Sequence, residues 1–164
     1  MCLELDYIAL SFVKDAKDIT DFRTILTEAN SNTKIIAKIE RPEAVANLDE
    51  IIAAADGIMI AQGDLGDAVA FETVPFITKD ILNRCNQAKK PAIVATEMLS
   101  SMVNKAKPSR ADVSDIATAV LDGASGTMLS NETAVGDNPI EAVAVMRKVV
   151  DEASRHTDKT VESF

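Results

Sequence analysis

Residues 56–66 read DGIMIAQGDLG, and this stretch decides how the rest of the chain is interpreted. Gly57 to Ala61 is a short apolar run, and polar residues with two further glycines follow it directly. A run of this length favours a buried strand over a helix. Four more such runs occur along the chain, each followed by a stretch of helical periodicity: Tyr7 to Phe12, Ile35 to Ile39, Ala92 to Thr96 and Thr127 to Ser130.

The five runs are continuously apolar rather than alternating, which is typical of parallel strands that are covered on both faces. Strands that alternate with helices predict parallel βαβ units with right-handed crossovers. Five such units fit either an open doubly wound sheet or part of a (β/α)₈ barrel. A complete barrel needs about 200 residues or more, and this chain has 164.

Capping residues mark where several helices begin and end. Asp15 and Ser109 are each followed three residues later by an aspartate, a spacing that resembles a capping box. Asn138 precedes Pro139, which is harmless in a first helical turn, so we expect Asn138 to cap the last helix. Gly123 follows an apolar stretch and predicts a helix end.

Composition limits the possible partners and the location of the protein. The chain is 47% hydrophobic and carries a net charge of -9, which argues against disorder and against nucleic acid or an anionic membrane as partner. No run approaches the roughly 18 apolar residues that span a bilayer, and the N-terminus does not resemble a signal peptide. We therefore expect a cytoplasmic protein in which Cys2 and Cys85 are free thiols.

Polar residues follow each predicted strand at its C-terminal end. In both α/β architectures this edge of the sheet carries the active site. Five strands that bring polar groups to one edge form a stronger signal than any single residue. The residues concerned are Ser11, Lys38, Glu40, Gln62, Asp64, Thr96, Glu97, Ser130 and Glu132.

Lys38 and Glu40 are two residues apart, so a strand places both side chains on the same face. They fit an ordinary ion pair at a wet strand end, or a cation beside a metal-binding carboxylate. In the second interpretation Asp64 supplies another carboxylate, and magnesium takes one or two carboxylates together with substrate oxygens and waters.

The segment from Gly63 to Gly66 fits a simple turn or a backbone that approaches an anion. It lacks the glycine spacing of a dinucleotide-binding loop. Thr96 and Ser130 carry hydroxyl groups at strand ends, where they serve either local hydrogen bonds or a pocket.

Taken together, five stretches resemble successive motifs of the pyruvate kinase family in order and spacing. This resemblance covers roughly residues 5 to 156, and five ordered motifs make it specific. It implies a TIM (β/α)₈ barrel that is incomplete, with about five parallel βα units in residues 1–156 and a polar, frayed tail in residues 157–164. The stretches are IIAKIE (35–40), DGIMIAQGDLG (56–66), ATEML (95–99), PSRAD (108–112) and MLSNETA (128–134).

The resemblance implies roles for individual residues. Lys38 matches the catalytic lysine that stabilises charge on the phosphoryl group in flight, and Thr96 matches a threonine that positions substrate near the enolate. Glu40 and Asp64 match the carboxylates that hold magnesium or manganese. The family also uses potassium, whose site lies mostly outside this chain.

The same resemblance implies a substrate-binding set. The backbone of Gly63 and Asp64 matches the turn that receives the substrate carboxylate, and Thr96, Ser130 and Ser11 match hydroxyl groups of the pocket. The family transfers a phosphoryl group from phosphoenolpyruvate to ADP, giving ATP and pyruvate in glycolysis. An acidic chain binds such anions through the metal ion and the lysine.

Several positions depart from the family pattern. Gln62 stands where arginine is usual, Glu97 where glutamine is usual and Asn131 where glycine is usual, and residues 67–70 differ from the usual continuation. The added acid at position 97 is expected to weaken anion binding or to alter metal preference.

The first three barrel strands and the lid domain of the family are not part of this sequence. The resemblance therefore implies either an enzyme segment, with little activity alone, that self-associates or joins a complementary barrel segment, or a non-catalytic binding or interaction module. A metal-dependent lyase of 2-oxo acids on a similar partial barrel is a third possibility. Unpaired sheet edges favour association with another chain.

Overall fold

The computed structural model describes residues 5–164 and contains one five-stranded parallel sheet. The strands lie side by side in the order in which they occur along the chain. All five predicted strands are confirmed, although three of them end one or two residues before the expected position. They are β1 (Tyr7–Leu10), β2 (Lys34–Ile39), β3 (Gly57–Ala61), β4 (Ala92–Ala95) and β5 (Gly126–Met128).

Helices follow every strand. Two short 3₁₀ turns, Phe71–Thr73 and Ser100–Val103, lie in the connections after the third and fourth strands. The α-helices are α1 (Ala16–Glu28), α2 (Pro42–Ala46), α3 (Leu48–Ala54), α4 (Gln62–Ala68), α5 (Val74–Gln87), α6 (Arg110–Asp122), α7 (Asn131–Ala134) and α8 (Pro139–Ser154).

The two faces of the sheet carry different cores. On one face, Ile35, Ile58 and Val94 belong to a large cluster that includes residues of the helices. On the opposite face, Ile36 and Met59 belong to a small cluster built from strand residues and strand ends. Helices on one face only, with no reversal of strand order, are features of a barrel rather than of a doubly wound sheet. The chain therefore folds as an incomplete α/β barrel.

The predicted helix caps are only partly present. The reciprocal capping box of Ser109 and Asp112 at the start of α6 is confirmed. At α1, Asp15 accepts hydrogen bonds from Lys17 N–H and Asp18 N–H, but the Asp18 carboxylate accepts from Lys14 N–H instead. The local contact with Lys14 thus replaces the reciprocal bond that the spacing predicts.

At the other helix ends, one expectation is confirmed in position only and one is confirmed in full. Asn138 is the N-cap residue of α8, as predicted, but its side chain makes no capping hydrogen bond. Gly123 ends α6 with a φ of 97°, a left-handed conformation that glycine adopts without steric cost.

The polar tail, residues 157–164, forms no helix or strand and is mostly exposed, but the ring of its last residue contacts the sheet. The ring of Phe164 lies edge-on to Tyr7, with 5.6 Å between centroids. A Cβ on Gly57 would lie only 2.7 Å from the Phe164 ring, so the ring occupies the space that a side chain would need. The Phe164 ring thus lies at the N-terminal ends of β1 and β3.

Cys85 is a free, buried thiol on α5, and Cys2 lies outside the described residues. Among residues 5–164, no helix combines the length and apolar character that a membrane crossing requires.

Candidate functional site

The C-terminal ends of the strands surround two adjoining clefts. The first, of about 480 Å³, is lined among others by Thr96, Glu97 and Ser130, and we call it the Thr96 cleft. The second, of about 410 Å³, is lined among others by Glu40, and we call it the Glu40 cleft. Asp64 lines both clefts, so the predicted residues of three strand ends meet around one carboxylate.

Lys38 links β2 to the loop after β1. Its Nζ donates to Ser11 Oγ at 2.9 Å and forms an ion pair with Glu40 Oε1. The ion pair confirms that the two-residue spacing places both side chains on one face. The Lys38 side chain is 22% exposed, so the ammonium group lies at the border between the protein and solvent.

Glu40 is a buried carboxylate whose two oxygens both have partners. Only 3% of the residue is exposed. Oε1 contacts Lys38, and Oε2 accepts a hydrogen bond of 3.0 Å from Phe12 N–H. These partners compensate for the loss of water around the charge. An unpaired buried carboxylate has no such compensation. The pair therefore keeps a positive and a negative group together at the strand ends.

The loop after β1 is strained where it meets Glu40. Phe12 has a φ of 62°, a left-handed conformation that is rare for a bulky residue. Its N–H donates to Glu40, and the Arg41 guanidinium lies over its ring, 5.1 Å from the centroid. Strained residues of this kind concentrate at functional sites, where their surroundings hold them in place.

The donor set at the Glu40 cleft suits a hard divalent cation. Glu40 and Asp64 supply carboxylate oxygens, and magnesium needs only one or two carboxylates when substrate and water complete its shell. Asp64 is exposed in the first turn of α4 and can turn toward the cleft. Within the described residues, no three His, Cys, Asp or Glu side chains cluster into a complete protein site.

The segment from Gly63 to Gly66 is helical rather than a simple turn, because α4 begins directly at Gln62. Gly63 N–H donates to Thr96 Oγ1 at 2.8 Å. The predicted carboxylate-receiving backbone at Gly63 is thus already engaged by a side chain from the next strand.

Thr96 and Glu97 form a second strained element. Their φ angles are 67° and 59°, so two consecutive residues adopt the left-handed conformation. A β-branched residue with positive φ is a genuine outlier, at a cost of about 1–3 kcal/mol. The next two residues, Met98 and Leu99, are fully buried and anchor the segment.

Ser130 lies at the start of α7 and lines the Thr96 cleft. Next to it, Glu132 is only 1% exposed. Its Oε1 accepts from Leu99 N–H and its Oε2 from Ser130 N–H, each at 2.9 Å. The sequence pattern predicted only that Glu132 is a polar residue that follows a strand, and it indicated no role for this side chain.

Comparison with known proteins identifies the family. Residues 2–143 match the family model described as "Pyruvate kinase, barrel domain". The chain belongs to the pyruvate kinase family. It is 49% identical over 146 residues to pyruvate kinase isozyme G, chloroplastic, of Ricinus communis, which covers 89% of this chain and 35% of that protein.

Two further relatives give the same assignment. The pyruvate kinase of Geobacillus stearothermophilus is 46% identical over 158 residues, covering 94% of this chain and 27% of that protein. The pyruvate kinase of Dictyostelium discoideum is 48% identical over 149 residues, covering 91% of this chain and 29% of that protein. The chain thus spans about a quarter to a third of the length of these relatives.

The residues that depart from the usual pyruvate kinase pattern lie in or beside the clefts. Asp67 lines both clefts, and Glu97 and Asn131 line the Thr96 cleft. Gln62 is the first residue of α4. Of these, Glu97 adds a negative charge to the Thr96 cleft, at a position where the resemblance implies an uncharged glutamine.

Glu97 also faces other acids, on α6. The pKa of Asp115 is raised above its ordinary value by partial desolvation and by the negative charges of Asp112 and Glu97. The pKa of Asp112 shifts in the opposite direction, below its ordinary value. Desolvation acts to raise its pKa, but hydrogen bonds from Ser101 and Ser109 outweigh that effect and lower it.

Proposed function

We propose that this chain is a catalytic segment of a pyruvate kinase. In this proposal it helps transfer a phosphoryl group from phosphoenolpyruvate to ADP, giving ATP and pyruvate in glycolysis. The observation that carries the proposal is the position of Lys38 beside the buried carboxylate of Glu40, with Asp64 lining the same cleft. Phosphoryl transfer needs such an arrangement, because it depends on positioning and on neutralising charge on the equatorial oxygens.

Lys38 is the group that we assign to the phosphoryl oxygens. Its ammonium group is held by Ser11 and Glu40, so it has little freedom to turn away from the strand ends. A preorganised cation loses less free energy in reorientation when charge develops nearby. Its border position at 22% exposure leaves one side open to a ligand.

Glu40 and Asp64 would hold the magnesium or manganese ion. When bound, that ion supplies positive charge that offsets the negative charge of phosphate and enolate oxygens. The two carboxylates fit it by ligand type and by their shared cleft. A potassium ion also belongs to this proposal, with most of its ligands in parts of the barrel outside this sequence.

Thr96, Ser130 and Gly63 belong to the substrate side of the proposed site. Because Thr96 Oγ1 accepts from Gly63 N–H, the Thr96 hydroxyl hydrogen is free to point toward a ligand in the cleft. Ser130 lines the same cleft from the next strand. The two hydroxyl groups therefore can orient the carboxylate and enolate oxygens of the substrate.

The partners in this proposal are phosphoenolpyruvate or pyruvate, ADP or ATP, and a further piece of barrel. Strands β1 and β5 each pair with one strand only among the described residues. On α8, Ile140 and Val143 are 79% and 54% exposed, although apolar, which is typical of a surface that another protein segment covers. Self-association or a complementary barrel segment would cover these edges. The cytoplasmic location stays a prediction, and one relative is named as a chloroplastic isozyme.

A non-catalytic binding module is the second candidate function. The observation that favours it is the lining of the Thr96 cleft, where Glu97 and Asn131 stand in place of the usual glutamine and glycine. The clefts would then bind phosphoenolpyruvate or a similar anion through Asp64-bound metal without turnover.

A graft separates the two functions. The matching segment of the Geobacillus stearothermophilus pyruvate kinase is replaced by this chain, and pyruvate formation is measured in a coupled assay with phosphoenolpyruvate, ADP, magnesium and potassium. Variants Lys38→Met and Glu40→Gln are compared with Lys34→Met and Glu28→Gln, which change exposed residues of the same types away from the clefts. Circular dichroism confirms that each chimera folds.

The enzyme proposal requires activity in the unmodified chimera, with a loss of about a hundredfold or more for Lys38→Met. The Lys34→Met chimera should keep full activity. A folded chimera without activity, or one in which Lys38→Met is as active as Lys34→Met, contradicts the enzyme proposal. Binding of phosphoenolpyruvate by such an inactive chimera would support the module.

A further inference from the structure

Two acidic side chains of the described residues are almost fully buried, and they differ in the groups that compensate their negative charge. Glu40, 3% exposed, is paired with Lys38. Glu132, 1% exposed, takes part in no ion pair among the described residues, and backbone N–H groups alone satisfy it. A buried charge without a cation is costly unless its hydrogen bonds are complete. The stability of buried Glu132 therefore depends on the positions of the Leu99 and Ser130 N–H groups.

The two N–H groups belong to different strand ends. Leu99 comes three residues after Thr96 in the loop that follows β4, and Ser130 follows β5. One carboxylate accepts from both, at 2.9 Å each. Glu132 thus fixes the distance between the loop that carries Thr96 and the residue that carries the Ser130 hydroxyl.

The loop after β4 needs such a restraint. Thr96 and Glu97 adopt the left-handed conformation, which relaxes unless the surroundings hold it. On one side, Gly63 N–H holds Thr96 Oγ1. On the other side, Leu99 N–H is held by Glu132. The strained pair lies between these two attachments.

We propose that Glu132 is a positioning residue that keeps the Thr96 and Ser130 hydroxyl groups aimed into one cleft. Its carboxylate holds both strand ends through their backbone, and both hydroxyl-bearing residues line the Thr96 cleft together with Glu132 itself. This inference rests on the proposed function for its catalytic consequence, but not for its structural content.

The chain offers a matched control in Asp56. It also joins two elements through its carboxylate, accepting from Ile35 N–H at 2.8 Å and from Arg23 at 3.0 Å. Asp56 directly precedes Gly57 at the start of β3, so it lies at the opposite edge of the sheet. A substitution of Asp56 removes a carboxylate that joins two elements, and it leaves the residues of both clefts unchanged.

The first measurement is amide hydrogen exchange in the chain itself. In the unmodified chain the N–H groups of Leu99 and Ser130 should exchange more slowly than those of exposed loop residues such as Lys105. In Glu132→Gln, one side-chain donor replaces an acceptor, so at least one of the two N–H groups should exchange faster. In Asp56→Asn both should stay protected. Leu99 and Ser130 amides that exchange freely in the unmodified chain would overturn the proposal without any variant.

The second measurement is the kinetics of the grafted enzyme described above. Glu132→Gln should lower kcat about 10- to 100-fold, because a displacement of substrate-positioning groups by about 1 Å costs up to about 100-fold in rate, with a smaller change in the KM for phosphoenolpyruvate. Glu132→Ala should lower kcat further, since glutamine keeps one acceptor. Asp56→Asn should lower the midpoint of unfolding while leaving kcat unchanged.

The outcomes distinguish this inference from the proposed function. An inactive unmodified chimera would defeat the proposed function, while amide exchange would still decide whether Glu132 holds the two strand ends. An active chimera in which Glu132→Gln changes only stability, as Asp56→Asn does, would overturn the positioning role.

Discussion

Gly63 donates its backbone N–H to Thr96 Oγ1 at 2.8 Å, although the two residues are 33 positions apart in the chain. The bond joins the start of α4 to the strained end of β4. Through it, a threonine that the sequence marked for substrate contact also takes part in holding the clefts together.

Thr96→Val tests this bond, because valine has the shape of threonine without the hydroxyl. We expect a loss of about 1 kcal/mol in the free energy of unfolding, since Gly63 N–H loses its acceptor. Thr96→Ser keeps the oxygen and removes the β-branch that makes a positive φ costly, so it should be at least as stable as the original chain. Urea denaturation measures both. Equal stability of the valine and serine variants would show that the bond contributes nothing.

Lys38→Met should destabilise the fold as well as the proposed chemistry. It leaves the carboxylate of Glu40 buried without its cation, and breaking a buried pair from one side costs about 3–5 kcal/mol. Adding Glu40→Gln removes the orphaned charge, so the double variant should recover part of the loss. Lys34→Met, on the same strand, should change stability little. Denaturation of the four chains in parallel checks this, and a double variant no more stable than Lys38→Met would contradict it.

Asp115→Asn should raise stability at neutral pH. The pKa of Asp115 is raised in the folded chain, so the folded state binds the proton more tightly than the unfolded state and its charged form is disfavoured. Above the raised pKa, asparagine removes that penalty. The benefit should vanish as the pH falls below the ordinary value of 3.8, where the carboxyl is protonated in both states. The gain is modest because the side chain still reaches solvent.

Glu97→Gln should change the pKa of the Asp115 carboxyl, because Glu97 lies between this carboxyl and the Thr96 cleft. It removes one of the negative charges that raise the pKa of Asp115, so this pKa should fall toward its ordinary value. It should also strengthen the binding of anions such as oxalate in the Thr96 cleft, because glutamine carries no charge. Carboxyl titration by NMR and an oxalate titration measure the two effects. An unchanged pKa of Asp115 would show that Glu97 does not face it.

Cys85 should be unreactive in the folded chain. Burial raises the pKa of its thiol to about 12, so almost no thiolate exists at pH 8. In a Cys2→Ser background, iodoacetamide should modify the chain only after unfolding in urea. Rapid modification of the folded protein would mean that α5 opens locally.

The five strands could be predicted because their signal is local. β3 is buried at every residue, and its apolar run ends where polar residues begin. The proximity of Lys38 and Glu40 followed from strand geometry alone, since residues two apart share a face. Asn138 occupies the predicted N-cap position, but its side chain makes no capping bond, because such a bond depends on the exact turn that the chain makes, which the residue type does not fix.

The contact of Glu132 with Leu99 could not be predicted in this way. The two residues are 33 positions apart. Their meeting depends on the register of β4 against β5, in which Ala95 lies opposite Met128. Sequence periodicity carries no information on that register, because hydrogen bonds between strands and packing of α6 and α8 set it.

Short stretches of sequence are enough to predict the alternation of strands and helices and the sheet edge at which polar residues gather. Apolar runs and capping residues act over a few positions, so both features follow from short stretches of chain. Three contacts depend instead on the folded chain: Gly63 N–H donates to Thr96 Oγ1, Glu132 accepts from the N–H groups of two strand ends, and Phe164 packs against Tyr7. These contacts join distant residues, and only the folded register brings the atoms within hydrogen-bond or packing distance.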